Sequence, residues 1–409
     1  MKIFEIGTGY TSIPADKGAA TEIVVESLSH ALVAQGHDVT VVDIEDDRRL
    51  PSDLDILEVR MPRGFSGTDE ALGVRHKLKR VAYSVALART LRRTLAALPA
   101  GERAVLHFHN QYNLYFFLRM VPRRLRRRAL VAYTVHSYVW HGAWEDIERT
   151  VRRRYFQEVA CMRAADVTFV LNAHVAATAT EHLGVAPARI VRIANGVDTD
   201  AYHPLPAGDA EVEALRRGLG LEGRLCAIQV GSVCPRKNQL GALKLLEPLM
   251  RADERLCFIY AGGVIDAAYQ AQVEAYAKER GLAERVRYLG ELAPGTELNR
   301  HYNLAFALVF PATAEAFGLA ITEAMAAGVP ALVPSSLDVE LPSVLRFDGA
   351  EDFAEKLGSL LESPEARARA GSQAREDVCG VWSWSHVAAD YAHAFAERMA
   401  DDEHLGKGC

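Results

Sequence analysis

Two carboxylates and two cations carry the chemistry that can be read from this chain. Glu315-Ala-Phe-Gly-Leu-Ala-Ile-Thr-Glu323 runs into Ala-Met-Ala-Ala-Gly328 and Val-Pro330. One carboxylate therefore stands in the turn entering an expected helix and the second about two turns later. The two are eight positions apart, about 800° along a helix and so roughly 80° past two full turns, which predicts that both groups lie on the same half of the helix. A carboxylate among Ala, Ile, Leu and Met is costly to bury unless something hydrogen-bonds it, and a sugar or ribose diol would do so. A capping role for Glu315 with a solvated Glu323 is the plainer alternative. The cations lie in Gly231-Ser-Val-Cys-Pro-Arg236-Lys237-Asn238, between an apolar run and a helix. Adjacent positive charges at such a turn suit a departing diphosphate; a solvated turn is the alternative.

Three weaker constellations occupy the first half. Gly7-Thr-Gly9-Tyr10, followed by Lys17-Gly18-Ala19-Ala20, lets backbone N–H groups approach a phosphate or sugar at a helix start, although it is not a GxGxxG. Tyr133-Thr-Val-His136 puts a histidine at the end of a strand, where catalysis or sugar binding competes with a structural role. His107-Phe-His109-Asn110 has the same kind of position; His107 reads as an inward strand residue, whereas His109 and Asn110, with Tyr10, are weak acceptor-binding candidates. No metal is expected at these histidines, because no carboxylate or cysteine accompanies them at a ligand-like spacing. Asp53-Leu-Asp55 matches a short metal-diphosphate pattern but precedes a strand rather than ending one, so it reads as a surface pair.

The elements that must position these residues alternate between short apolar strands and amphipathic helices. Strands are expected over 2–7, 38–43, 56–59, 105–108, 130–135, 167–171 and 190–193, then 225–230, 256–261, 286–289, 307–310 and 331–333. Helices are expected over 19–35, 71–98 and 145–164 among others. Such alternation implies α/β architecture with parallel sheets and right-handed crossovers. The turn-rich stretch from Asn195 to Gly208, with Pro204 and Pro206, reads as the break between two Rossmann-like domains facing a central cleft. Glu315 and Arg236-Lys237 then sit at the C-terminal ends of strands, where open α/β sheets bind ligands.

The 409 residues suit two such domains. The net charge of −6 conceals an asymmetry: residues 1–200 carry 27 Lys+Arg against 23 Asp+Glu, and residues 201–409 carry 20 against 30. The halves therefore suit different partners. The basic runs Arg119–Arg128 and Arg149–Arg154 read as solvated faces; membrane-surface contact is not favoured, and nucleic acid is less so without interleaved aromatics. Six cysteines without CxxC or metal spacing fit a reduced, cytoplasmic protein. Glu5 interrupts the first apolar run, so it reads as a strand and not a signal peptide.

Taken together, the residues around Gly18, His136, Asn195-Gly-Val-Asp198, Arg236-Lys237, Ala261-Gly-Gly263, Tyr288-Leu-Gly290 and Glu315/Glu323 resemble the retaining nucleotide-sugar glycosyltransferases of the GT-B type, the glycosyltransferase family 4 group. The resemblance spans nearly the whole chain, and its spacing of Glu315 and Glu323 around Phe317-Gly318 is its specific element. It implies an N-terminal acceptor-binding domain over 1–203, a nucleotide-sugar-binding domain over 209–380, and a terminal helix over 381–409 crossing back to the first domain. By the same resemblance, Arg236 and Lys237 would stabilise the leaving diphosphate and Glu323 would hold the ribose. Glu315 with Phe317, Gly318 and Leu319 would hold the donor sugar, and His136 would stand near the reacting carbon. Backbone near Glu291 and Leu292 would meet the base, with Gly18, Gly231 and Gly263 lining the donor.

The implied partners are a nucleoside-diphosphate sugar as co-substrate, UDP- ahead of GDP-, and a small-molecule acceptor. No tightly bound cofactor and no metal are expected, and the oligomeric state is left open. The alternatives are a lipid or glycan glycosyltransferase at the membrane surface and a non-catalytic donor-binding subunit; epimerase and phosphorylase are same-fold rivals. One departure stands out. After Pro330 the family's Gly-Gly-x-x-Glu and following hairpin are replaced by Ser335-Ser-Leu-Asp-Val-Glu340-Leu-Pro342.

Overall fold

Short β-rich runs in the first half close into a seven-stranded sheet, and those of the second half into a six-stranded one. The computed structural model describes residues 1–15, 19–62, 65, 74–140, 144–147, 149–337 and 339–406; Gly18 and Lys17 lie outside them. Two units result. The first combines Met1–Gly196 with the segment from Trp384 onward, and the second is Val197–Ser383.

The first sheet contains β1 (Lys2–Ile6), β2 (Asp38–Ile44), β3 (Asp55–Val59), β4 (Ala104–Phe108), β5 (Ala129–Val135), β6 (Val167–Val170) and β7 (Ile190–Arg192). Their order is β3-β2-β1-β4-β5-β6-β7, and every pair is parallel. The order reverses between β1 and β4, the place where a doubly wound sheet opens a crevice at its carboxyl edge. Glu5 of β1 is in register with His107 of β4. Side chains alternate along a strand, so Glu5, His107, His109, Thr134 and His136 share one face. The helix Trp384–Gly406 packs on that face, with Tyr391 and Phe395 against the His107 and Phe169 rings.

The second sheet contains β8 (Leu225–Val230), β9 (Leu256–Ala261), β10 (Val286–Tyr288), β11 (Ala305–Val309), β12 (Ala331–Pro334) and β13 (Leu345–Phe347), in the order β10-β9-β8-β11-β12-β13. All pairs are again parallel. Its order reverses between β8 and β11, the two strands that lead into Arg236-Lys237 and Glu315. The core under it is apolar and closely packed, with Ala227, Leu246, Phe258, Val309 and Leu357 all fully buried.

Three expectations need correction. The helix expected over 145–164 is broken into a turn at Trp144–Asp146 and helices Arg149–Arg154 and Phe156–Ala164. Tyr155 at the break leaves helical backbone geometry and packs its ring edge-on against buried Trp140. β13 was not expected, because three residues around a charged Arg346 give no period to read. That guanidinium donates to the Leu337 carbonyl at 3.1 Å and to that of Val339, tying the altered segment back to the sheet with Leu337, Val339 and Leu341 buried. Finally, the helix after β11 begins only at Leu319, so Glu315 lies outside it and is not related to Glu323 by helical periodicity.

Candidate functional site

In the second unit the site is assembled from the turns after β8 and β11. Asn238 adopts a left-handed backbone (φ 60°) and caps the helix Gln239–Ala252 by accepting from the Gly241 N–H at 3.1 Å. Its amide also donates to the Pro311 carbonyl at 3.0 Å, and the Thr313 N–H donates to the Arg236 carbonyl at 2.9 Å. These bonds stitch the two turns together. Lys237 Nζ, 4.7 Å from the centre of the Phe310 ring, is ion-paired with Glu315. Arg236 lies 3.6 Å from the same carboxylate oxygen and donates to the Ala314 carbonyl at 2.9 Å. Gly318 (φ 96°) then turns the chain into the helix Leu319–Ala326 without a side-chain cap, leaving first-turn amides without a capping side chain. Phe317 is buried behind this turn.

Glu323 stands within that helix and finds other partners. Its carboxylate accepts from Tyr302 at 2.9 Å and from Tyr202. Burial raises its pKa to about 7, against the lowering effect of the two phenols and of the Lys237 charge. Glycines let neighbouring loops close in. A Cβ on Gly262 (φ 136°) would stand 2.3 Å from the Gly231 carbonyl oxygen, and one on Gly263 would meet Glu291 at 2.1 Å. Gly231, Gly263, Glu291 and half-buried Leu292 are thus grouped on the loops after β8, β9 and β10.

The first unit groups a second set. The Asn110 amide donates to the Tyr10 hydroxyl at 2.9 Å, while the Arg80 guanidinium sits 4.9 Å from the Tyr10 ring and 4.0 Å from that of Tyr112. Burial pushes the Tyr10 hydroxyl up to about 12. His109 Nδ1 is 2.9 Å from His136 Nε2, and the two rings stack at 21°. Behind them lies a residue the sequence reading passed over. Glu5 Oε2 is 2.8 Å from His109 Nε2 and 2.9 Å from His107 Nδ1. The reason given for expecting no metal is therefore overturned: a carboxylate does accompany these histidines, supplied by a neighbouring strand. Their spacing is that of hydrogen bonds, with each ring nitrogen facing Glu5 engaged by it. The signal was a lone acid inside the apolar run Ile-Phe-Glu-Ile. Tyr202 and Tyr302 carried no comparable signal.

Among the candidates, Arg236, Lys237, Glu315, Gly318 and Leu319 come together with Phe317 behind them; Gly231, Gly263 and Leu292 form a neighbouring group; Tyr10, His109, Asn110 and His136 collect at the β1/β4 edge of the first unit. Asp53 and Asp55 separate: Asp55 accepts from Thr40 at 2.7 Å, while Asp53 is exposed. Among the described residues no helix is long and apolar enough to cross a membrane.

Residues 21–201 match Glycosyltransferase Family 4, and residues 211–377 match Glycosyl transferases group 1. The chain is 28% identical over 274 residues to the D-inositol 3-phosphate glycosyltransferase of Corynebacterium aurimucosum, a match covering 64% of this chain and 63% of that protein. It is 26% identical over 288 residues to a GDP-mannose-dependent alpha-(1-6)-phosphatidylinositol monomannoside mannosyltransferase of Mycobacterium tuberculosis, covering 67% and 71%. Among solved structures, sucrose-phosphate synthase from Thermosynechococcus elongatus superposes with a TM-score of 0.74 at 20% identity over 98% of this chain and 100% of the other, a likeness of fold. With both halves matched and two Rossmann-like units in place, the chain belongs to the glycosyltransferase family 4 group of GT-B fold.

Proposed function

We propose that the chain transfers a hexose from a nucleoside diphosphate to a hydroxyl of a small acceptor, with retention of configuration. The observation that carries this reading is the Lys237–Glu315 pair with Arg236 beside it, at the point where the second sheet reverses its strand order. In this reading Arg236 and Lys237 compensate the charge that grows on the departing diphosphate, aided by the N-terminal amides of the helix beginning at Leu319. Glu315 and the Phe317-Gly318-Leu319 backbone hold the sugar hydroxyls, Glu323 holds the ribose, and the loop at Glu291 and Leu292 meets the base. Gly18, Gly231 and Gly263 belong to the donor's surroundings.

His136 serves near the reacting carbon, and Tyr10 and Asn110 serve the acceptor, with His109 buried behind His136 and both of its ring nitrogens engaged by Glu5 and His136. The acceptor oxygen bonds to the anomeric carbon from the face the phosphate leaves. The acceptor's proton passes to the departing phosphate oxygen.

We take the acceptor to be a small anionic polyol. The basic balance of the first half and Arg80 beside Tyr10 support this, as do two relatives named for phosphorylated inositol acceptors. A lipid-linked acceptor is the second reading, favoured by exposed Phe156 next to Arg152, Arg153 and Arg154. A thermal-shift panel of UDP-, GDP- and ADP-sugars tests the donor: selective stabilisation by one base is expected, and no response to any of them overturns the reading. Product anomeric configuration then tests retention, and pelleting with anionic vesicles separates the lipid acceptor.

A further inference from the structure

Glu5 is a charged residue in a first strand where an apolar one would pack as well, and what it touches explains its presence. An ionised carboxylate can only accept hydrogen bonds. Its Oε2 lies 2.9 Å from His107 Nδ1 and 2.8 Å from His109 Nε2, so each ring must present an N–H to it. Burial opposes the charge, but the two imidazoles more than offset that cost and bring Glu5 down to about 2.

The polarity then propagates. Burial, with the His107 charge, brings His109 down to about 4, so near neutral pH it carries one proton, on Nε2. Its Nδ1 holds a lone pair, 2.9 Å from His136 Nε2. His136 must therefore donate from Nε2, and its own neutral ring, which burial also favours, keeps the lone pair on Nδ1. In the other direction the chain ends inside the protein: His107 Nε2 meets Thr134 Oγ1 at 2.7 Å, and Thr134 meets the Tyr391 hydroxyl at 3.3 Å. Phe169 and Phe395 cover that end. Half-buried His136 is the end that reaches the surface.

We propose that Glu5 and His109 are positioning residues that fix His136 as its Nε2–H tautomer, so that Nδ1 accepts a hydrogen bond from a hydroxyl of the bound sugar or acceptor. The inference rests on the reading of His136 as a substrate-facing residue. No proton leaves the chain: the relay sets direction, and a hydroxyl that must donate is favoured over one that must accept. The same three side chains could hold a divalent cation only if both rings turned lone pairs toward Glu5, since their ligand atoms lie within 4.8 Å of one another. That is the opposite protonation pattern.

Long-range proton–nitrogen correlation spectra of the full chain labelled with 15N-histidine read the pattern directly, with His136 identified by loss of its signals in His136→Ala. The expected result is protonated Nε2 and bare Nδ1 on His136, with N–H on His107 Nδ1 and His109 Nε2. A bare pair facing Glu5, or a protonated Nδ1 on His136, overturns the relay. In Glu5→Gln the amide can donate as well as accept, so His136 should populate both tautomers. Transfer kcat should then fall roughly tenfold, the scale of one lost hydrogen bond, with donor KM nearly unchanged. A folded Glu5→Gln protein with the native tautomer and native kcat also overturns the relay. Wild-type turnover by His136→Ala would instead overturn the substrate contact and that part of the functional reading, whatever the tautomer.

Discussion

Lys237, on the turn after β8, is ion-paired with Glu315, on the turn after β11, and the two strands are neighbours in the sheet. The pair spans the switch point and holds the ammonium over Phe310, with only a small part of either side chain exposed. An ammonium so placed is already desolvated and oriented before a diphosphate arrives, which is the condition under which a fixed charge works best.

Lys237→Ala and Glu315→Gln should each reduce kcat by about 100-fold or more, the scale of losing one preorganised electrostatic contact. Both variants should fold, since the turns keep their Asn238–Pro311 and Thr313–Arg236 bonds. Steady-state kinetics with a melting curve on the same sample checks both halves of this statement. Native rates from both folded variants would remove the pair from the mechanism.

Glu323→Gln separates binding from chemistry. The amide oxygen can still accept from Tyr302, so the helix is retained. The lost charge-assisted bond to a ribose hydroxyl should raise the donor Kd by about 10-fold or more, on the scale of about 1.5–3 kcal/mol, with a smaller change in kcat. Calorimetric titration with the nucleoside diphosphate alone reads this directly.

Glu158 gives a pH-dependent stability term away from the proposed chemistry. It accepts from Tyr133 at 3.0 Å and from Trp140 at 2.7 Å, and burial raises its pKa from 4.5 to about 7. Between those values the unfolded chain has released the proton that the folded chain still holds. Its contribution is therefore full below pH 4.5 and is lost as pH rises through about 7. Glu158→Gln should gain on the wild type by roughly 3 kcal/mol between pH 4.5 and pH 8, at about 1.4 kcal/mol per pKa unit. Paired urea titrations at both pH values give the difference, which cancels the similarly raised Glu22 and Glu323.

Two glycines should respond oppositely to alanine. Gly262→Ala places a Cβ against the Gly231 carbonyl in a backbone region hostile to side chains, and should cost about 1–3 kcal/mol or more. Gly358 lies inside the helix Gly349–Glu362 with nothing within 4 Å of an added Cβ. Its alanine should stabilise by about 0.5–1 kcal/mol. Chemical denaturation of the two single variants tests the contrast.

The sequence shows what is local. Near-continuous apolar runs such as Leu225–Val230 and Leu256–Ala261 declare strands buried on both faces of a parallel sheet, and Arg236-Lys237 and Glu315 could be placed after strands because each follows an apolar run within a few residues. What it conceals is lateral. Glu5 meets His107 and His109 only because β1 and β4 pair in register across more than a hundred residues, and no spacing rule reports that. Tyr202 and Tyr302 reach Glu323 from two other elements for the same reason. The break at Tyr155 and the short strand around Arg346 escaped because packing against Trp140 and backbone bonds to Leu337 and Val339 override weak local preference.

The first unit is not contiguous along the chain. Its sheet face is sealed by Tyr391 and Phe395, from a helix that begins after the whole of Val197–Ser383. A ribosome adding about 5–20 residues per second needs roughly 10–40 s to cover that interval. Throughout it the nascent first unit exposes His107 and Phe169, whereas the second unit completes its own sheet as soon as it emerges. Vectorial synthesis therefore supplies every strand of the second unit before the first unit receives the helix that covers its sheet.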